Sequence, residues 1–307
     1  CERPKSCLSA LLLALVLSGG CSDRTQPLKR QDKDSKKAKP RATGPGRALG
    51  SEASQSNAER SIRQAMQIKR GEEALARGRH SEALTHLRQA LATLPGSPRS
   101  AHIHFLMGRA HEQAGQPQQA IVAFEKGVAI EPSNPTGHYL LALAYKATKR
   151  LERALQAIRR AVSLAPRVLV YHFDQVTIEL DLGRKLQGER SYQDYEKLRN
   201  DLVAQLKATQ ERKRIAAARA LGTVPVDMMN LRALRDALGD KSASVRAEVA
   251  QALADSGTPD PSVRKALSVQ LAQEKNSDVI KAIRGALGRL PLPQKGATSS
   301  PKPPTKK

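Results

Sequence analysis

The sequence predicts an all-α chain. Helical hairpins stack into a right-handed solenoid, and a shorter array of helix pairs follows. Three observations predict this. Six residues recur three times with identical spacing between residues 71 and 166. A second motif, Ala-Leu followed by a small residue, recurs after residue 212. The composition also suits helices packed through small residues: Ala and Leu abound, Trp is absent, and there are only 3 Phe and 5 Tyr.

Taken in order, the chain opens with an export-type leader over residues 1–20. Cys1 stands where a translation start would place Met, so the true start is expected elsewhere. Arg3 and Lys5 precede an apolar run from Leu8 to Leu17. As a helix that run covers about 15 Å, half of the ~30 Å hydrocarbon core of a bilayer, so a membrane span is not expected. A basic start, a short apolar core and a small-residue end describe a secretory signal. The ending Ser18-Gly19-Gly20-Cys21 resembles the lipobox of bacterial lipoproteins. That resemblance implies cleavage before Cys21 and a lipid on its sulfur. Ser22, rather than Asp, follows, which in that family implies the outer membrane, facing the periplasm. The lipobox pattern has a larger apolar residue where Ser18 stands here. An ordinary cleaved signal and a retained anchor are the alternatives. The other cysteines are Cys1 and Cys7, so the body has no disulfide framework or cysteine metal site.

Residues 21–60 are rich in Gly, Pro, Ser and Lys and hold no aromatic residue. They bury too little to offset ordering entropy and are expected to form a disordered tether. Of the formal net charge of +23, the tether holds 10 Lys/Arg against 5 Asp/Glu between residues 22 and 60, and the tail after residue 290 holds 4 Lys and no acid. The body between residues 61 and 290 keeps +13 and should favour anionic surfaces. The basic run from Lys29 to Arg41 is either a solvated linker or a site of attraction to anionic lipid or polymer.

The repeat comes next. Gly71, Ala74, Ala83, Leu87, Ala90 and Pro95 recur 37 residues later as Gly108, His111, Ala120, Phe124, Gly127 and Pro132. They recur again after 34 as Ala142, Tyr145, Ala154, Ile158, Ala161 and Pro166. The physical reasons are legible. Gly71, Gly108 and Ala142 let paired helices approach, and Leu87, Phe124 and Ile158 fill the space left. Proline ends each second helix, because it has no amide proton to continue it. Gly78 and Gly115 supply a left-handed turn after the first helix. Ser97-Pro98 and Asn134-Pro135 read as a cap followed by proline at the first helical position. These positions resemble the tetratricopeptide repeat, with copies at 64–97, 101–134 and 135–168 within a unit over 61–185.

A fourth copy begins and then departs from the pattern. His172 lies 34 after His138, but Gly188, Tyr192 and Tyr195 stand where Ala, a bulky apolar residue and Ala are expected. The reading is a closing helix, Val168 to Leu182, then a connecting helix from about Glu189 within 186–212, with Tyr192, Tyr195, Leu198, Leu202 and Leu206 on one stripe.

Over 213–290, Ala220-Leu221-Gly222, Ala252-Leu253-Ala254 and Ala286-Leu287-Gly288 recur. Val245 and Val279 precede the later leucines by eight, and Asp240 precedes Val245-Arg246. This resembles HEAT-like repeats. Asp260-Pro261 marks another helix start. The tail, residues 291–307, with five prolines and four lysines, is expected to be unstructured.

Motifs for chemistry are sparse, and no catalytic residue, metal or cofactor is expected. His102 and His104 sit two apart, about 200° around a helix, and cannot converge on one ion. His104, His138 and His172 recur at 34 and read as partly buried core histidines, with a metal or pH-sensing ladder as the alternative. HEAT-like repeats also occur in pigment-attaching lyases, but an enzymatic role on that ground would be fold analogy alone.

The concave groove is the expected site. By resemblance to the tetratricopeptide family it comprises Ile68, Glu72 and Leu75 in the first repeat. The second repeat gives His102, Phe105, Arg109, Glu112 and Gln113, and the third gives Tyr139, Leu143 and Lys146. The family's carboxylate clamp needs Lys and Asn where Ile68 and Glu72 stand, so that specific function is not implied. The expected function is a non-enzymatic, membrane-anchored adaptor that binds a protein or peptide partner through this groove, in assembly of a cell-envelope complex. The alternative is binding of an anionic polymer, a wall or surface glycan, by the basic body; nucleic acid is disfavoured by export.

Overall fold

A computed structural model describes residues 48–225, 228–257 and 261–290. Every regular element among them is helical, thirteen helices in all, and the chain divides into two compact units, one through Pro166 and one from Arg167. Cys21, most of the expected tether, Asp260 and the tail lie outside the described residues.

The first unit is three antiparallel hairpins: α1 (Ala48–Ala76) with α2 (His80–Thr93), α3 (Ser100–Gln113) with α4 (Pro117–Ile130), and α5 (Pro135–Ala147) with α6 (Leu151–Leu164). α2 also packs on α3, and α4 on α5, so successive hairpins adjoin. The first helix starts at Ala48, well inside the segment expected to be disordered. No proline interrupts the chain between Pro45 and Pro95, and Ala, Glu and Arg recur there, so helix can propagate upstream from the packed half.

Each hairpin interlocks through a small residue. A Cβ added at Gly71 would lie 2.9 Å from the side chain of Leu87, and one at Gly108 only 2.3 Å from the ring of Phe124. Leu87, Phe124 and Ile158 are fully buried, as are Ala83, Ala120 and Ala154. α2, α4 and α6 each end two residues before the proline of the repeat. Asn134 caps α5 as expected: its Oδ1 accepts the Gly137 amide at 2.9 Å, with Pro135 following. Ser97-Pro98 does not start a helix. Ser97 instead opens a turn whose carbonyl accepts the Ser100 amide at 2.9 Å, and α3 begins at Ser100.

One turn geometry closes every hairpin of the first unit. In each, an amide reaches back five residues to the first helix: Arg79 to Ala74, Gln116 to His111, and Arg150 to Tyr145, at 2.8, 2.8 and 2.9 Å. The residue before it is left-handed: Gly78 at φ 71°, Gly115 at 72° and Lys149 at 61°.

The second unit opens with α7 (Leu169–Asp181) and α8 (Lys185–Gln205), another hairpin with the same turn, Arg184 amide to Glu179 carbonyl at 2.9 Å and Gly183 at φ 73°. The second helix of the fourth copy therefore forms, four residues before the expected start at Glu189. Gly188 makes this possible, since its missing Cβ would lie 3.0 Å from Leu180. The stripe holds at Tyr195, Leu202 and, just past α8, Leu206; Leu198 is half-buried, Tyr192 is 44 % exposed, and Arg199 is buried.

α9 (Glu211–Leu221), α11 (Ala243–Asp255) and α13 (Ser277–Arg289) then pack side by side, with α10 (Met228–Ala237) and α12 (Pro261–Gln273) against them. The Ala-Leu-Gly motif explains the close approach: a Cβ at Gly222 would lie 2.6 Å from Ala252 Cα. Two arginines tie the loops together. Arg214 donates to both carboxylate oxygens of Asp240 at 2.7 and 3.0 Å, and to the carbonyls of Ala208 and Thr209. One repeat on, Arg246 does the same to Glu274 at 2.7 and 2.8 Å, and to the carbonyl of Asp240. Each arginine thus holds the loop before its own helix and the acid before the next.

Candidate partner-binding surface

In the first unit a cleft of about 650 Å³ opens between α3 and the loop joining α4 to α5. Its floor is built from glycine. The ring of Phe105 lies where Cβ atoms at Gly127 and Gly137 would be, 2.4 and 2.5 Å from the nearest ring carbons. One wall is the α5 start, where Asn134 is held from both sides: Oδ1 accepts the Gly137 amide, and Nδ2 donates to Glu131 at 2.9 Å. Thr136 follows on the same wall.

Arg109 projects from α3 into this cleft and is only 5 % exposed. Among the described residues it makes no hydrogen bond or ion pair. Burial lowers its pKa, while the nearby charges of Glu112 and Glu72 act the other way. A guanidinium keeps its charge regardless. Burial likewise raises the Glu112 carboxyl, against the pull of Arg109. The Arg109 nitrogens open on the cleft with no direct hydrogen bond and with the carboxylates of Glu72 and Glu112 in electrostatic reach, so an incoming carbonyl or carboxylate can be met there. The planar fork of Arg suits a carboxylate approached by two oxygens. At the edge, His102 Nε2 lies 3.2 Å from Glu72 Oε1 and links α3 to α1.

The residues expected in the groove divide in two. His102, Phe105 and Arg109 come together in the cleft, and Glu72 and Glu112 lie within electrostatic reach of Arg109. Ile68 and Leu75 do not face a groove. They are 7 % exposed and belong to the core with Ile103 and Leu106, because α1 and α3 approach through these positions. Tyr139 is likewise buried at 4 %, and Phe105 is 8 % exposed. Gln113, Leu143 and Lys146 are half-buried and lie outside the cleft lining. Sequence reasoning missed Asn134 and Thr136 as surface. The Asn-Pro pair was legible as a cap, but its position over Arg109 depends on the hairpin turn and not on local pattern.

His104 and His138 are half-buried; burial and then Lys126 lower the His104 pKa, and His138 Nε2 sits 3.0 Å from the Pro132 carbonyl. His172, in the second unit, is half-buried too. Among the described residues no three His, Cys, Asp or Glu side chains converge as a metal site, and no helix is long and apolar enough to cross a membrane.

The profile of the tetratricopeptide repeat matches residues 68–135 and again 111–171, and that of HEAT repeats matches residues 199–288. The HEAT match begins inside α8, ahead of the boundary expected at residue 213. No curated protein matches the chain in sequence. Similar solved structures include a thermophilic tetratricopeptide-repeat protein from Thermus thermophilus, at 22% identity over 62% of this chain and 98% of that one, with a TM-score of 0.38. PilF of Pseudomonas aeruginosa is similar at 17% identity over 75% of this chain and 89% of that one, with a TM-score of 0.42. A tetratricopeptide-repeat protein from Parabacteroides merdae is similar at 13% identity over 74% of this chain and 98% of that one, with a TM-score of 0.41. With hairpins, interlocking glycines and profile matches in agreement, the chain carries tetratricopeptide repeats over residues 68–171 and HEAT repeats over residues 199–288.

Proposed function

We propose that the chain is a non-enzymatic adaptor of the cell envelope, anchored through a lipid on Cys21, that holds a protein or peptide partner in the cleft beneath Arg109. The observation that carries the binding half is Arg109 itself, buried and without a direct partner at a site wide enough for polypeptide. Its fork takes an acidic side chain or a main-chain carbonyl, and Thr136 and His102 are placed to meet neighbouring peptide groups. The anchor half is supported by the run Ser18-Gly19-Gly20-Cys21 after a short apolar core, and by Ser22 the outer membrane is the favoured side. More than one acyl chain on Cys21 would hold the protein almost permanently.

Two measurements test this. Replacing Cys21 with Ser should move the protein from membrane to soluble fractions; unchanged retention would remove the lipid anchor. A photo-crosslinker at His102 in cells should yield an adduct degraded by protease. An adduct sensitive to glycosidase instead would transfer the role to an anionic wall or surface glycan, for which the +13 of the body between residues 61 and 290 is the motive.

A further inference from the structure

We propose that the second unit carries a separate docking groove, between the end of α8 and one side of α10, for an acidic amphipathic helix of another protein. α10 has two apolar stripes. Leu231, Leu234 and Leu238, at 3, 0 and 4 % exposure, hold it to the array. On another side Met229, Ala233 and Ala237 recur every fourth residue, and Met229 is 53 % exposed. This second stripe lines a groove of about 820 Å³, whose far side is Val203 of α8 and Leu206 just beyond it.

The shape suits a helix. Small side chains at Ala233 and Ala237 let another helix axis come within about 8–10 Å. From Met229 to Ala237 the stripe runs about 12 Å, two helical turns, enough for anchors at i, i+4 and i+7.

The charge of the rim identifies the occupant. Lys207, Arg232 and Lys241 are exposed around the groove and make no ion pair among the described residues. Of the two acids there, Asp240 is taken up by Arg214 at 2.7 and 3.0 Å, which leaves Asp236 alone against three cations. The chain's own segments are poor candidates. Residues 22–60 carry 10 Lys/Arg against 5 Asp/Glu, residues 291–307 carry 4 Lys and no acid, and a second copy brings another +23. A lipid surface is also disfavoured: bilayers take apolar side chains that stand proud, and Ala233 and Ala237 are half-buried between cations. A foreign helix with apolar residues on one face and Glu or Asp on its flanks satisfies both floor and rim.

The test uses the full chain and a labelled synthetic peptide of about 15 residues, with Leu at helical i, i+4, i+7 and i+11 spacing and Glu elsewhere. Its scrambled isomer and vesicles of phosphatidylglycerol are the comparisons. Fluorescence anisotropy at low salt should show binding that is at least ~10-fold weaker for the scrambled isomer, that is ~1.4 kcal/mol. Ala233→Arg should block the floor and weaken binding by a similar factor. Should Ala233→Arg fail to fold by circular dichroism, Lys207→Glu with Lys241→Glu, both exposed, carries the same expectation. Arg109→Ala should leave this binding unchanged. No binding of the amphipathic peptide, equal binding of its scrambled isomer, loss with Arg109→Ala, or capture of vesicles alone would each overturn the proposal.

Discussion

Arg246 and Glu274 meet as a two-pronged ion pair, Nε at 2.7 Å and Nη2 at 2.8 Å, with the carboxylate side chain only 3 % exposed. The hydrogen bonds from Arg246 hold the Glu274 carboxyl down at about 2, outweighing the opposing effect of burial, with the Asn276 amide and Gln270 assisting. The folded-state pKa lies below the ordinary value of 4.5, so the contribution is complete above about 4.5 and is lost as pH falls towards 2. Urea denaturation should show second-unit stability declining across that window. Glu274→Gln should flatten the decline and cost about 2–3 kcal/mol at neutral pH. An acid limb that is the same in both proteins would contradict this assignment.

One substitution, glycine to alanine, should act with opposite signs at two helical positions. At Gly108 a Cβ would sit 2.3 Å from the fully buried ring of Phe124. Overpacking outweighs the ~1 kcal/mol gain in helix propensity, and a net loss of about 1–2 kcal/mol is expected. At Gly285, exposed in α13, nothing lies within 4 Å of the added carbon. There alanine should stabilise by about 0.5–1 kcal/mol. Chemical denaturation of both variants checks the pair; equal shifts would mean the hairpin interlock at Gly108 is not tight.

Lys149 occupies the turn position held by glycine in the other hairpins, at φ 61°. A side chain there costs about 1–2 kcal/mol, and glycine returns part of that as unfolded-state entropy. Lys149→Gly should therefore raise stability by about 0.5–1 kcal/mol, while Gly115→Ala should lower it by about 1 kcal/mol. A destabilised Lys149→Gly would show that the lysine makes a compensating contact.

Much of this was legible in the sequence because the repeat couples residues at fixed spacing. Gly108 and Phe124 announce one another, while the spacing of Asp240 and Val245-Arg246 marked the HEAT-like repeat but not the partners, Arg214 for Asp240 and Glu274 for Arg246. Where spacing and packing part company, the reading faltered. Ile68 and Leu75 occupy groove positions by register, yet α1 and α3 approach closely enough to bury them. Gly188 looked like a break in the fourth copy, although it admits Leu180 and lets α8 begin early. The environment of Arg109 is set by the α4–α5 loop and the wedge of Phe105, which are tertiary facts with no local signature. The α10 groove likewise has no local signature, since Met229, Ala233 and Ala237 recur at the spacing of any helical face.

The central claim is that the cleft beneath Arg109 grips a polypeptide, and crosslinking in cells from Thr136 tests it most directly. With Arg109 intact, a photo-reactive residue at 136 should give a discrete, protease-sensitive adduct, and Arg109→Ala should reduce its yield at least ~10-fold, as expected for a charge-assisted contact worth ~1.5–3 kcal/mol. An adduct equally abundant in Arg109→Ala, or no polypeptide adduct from Thr136 in the intact protein, would contradict it.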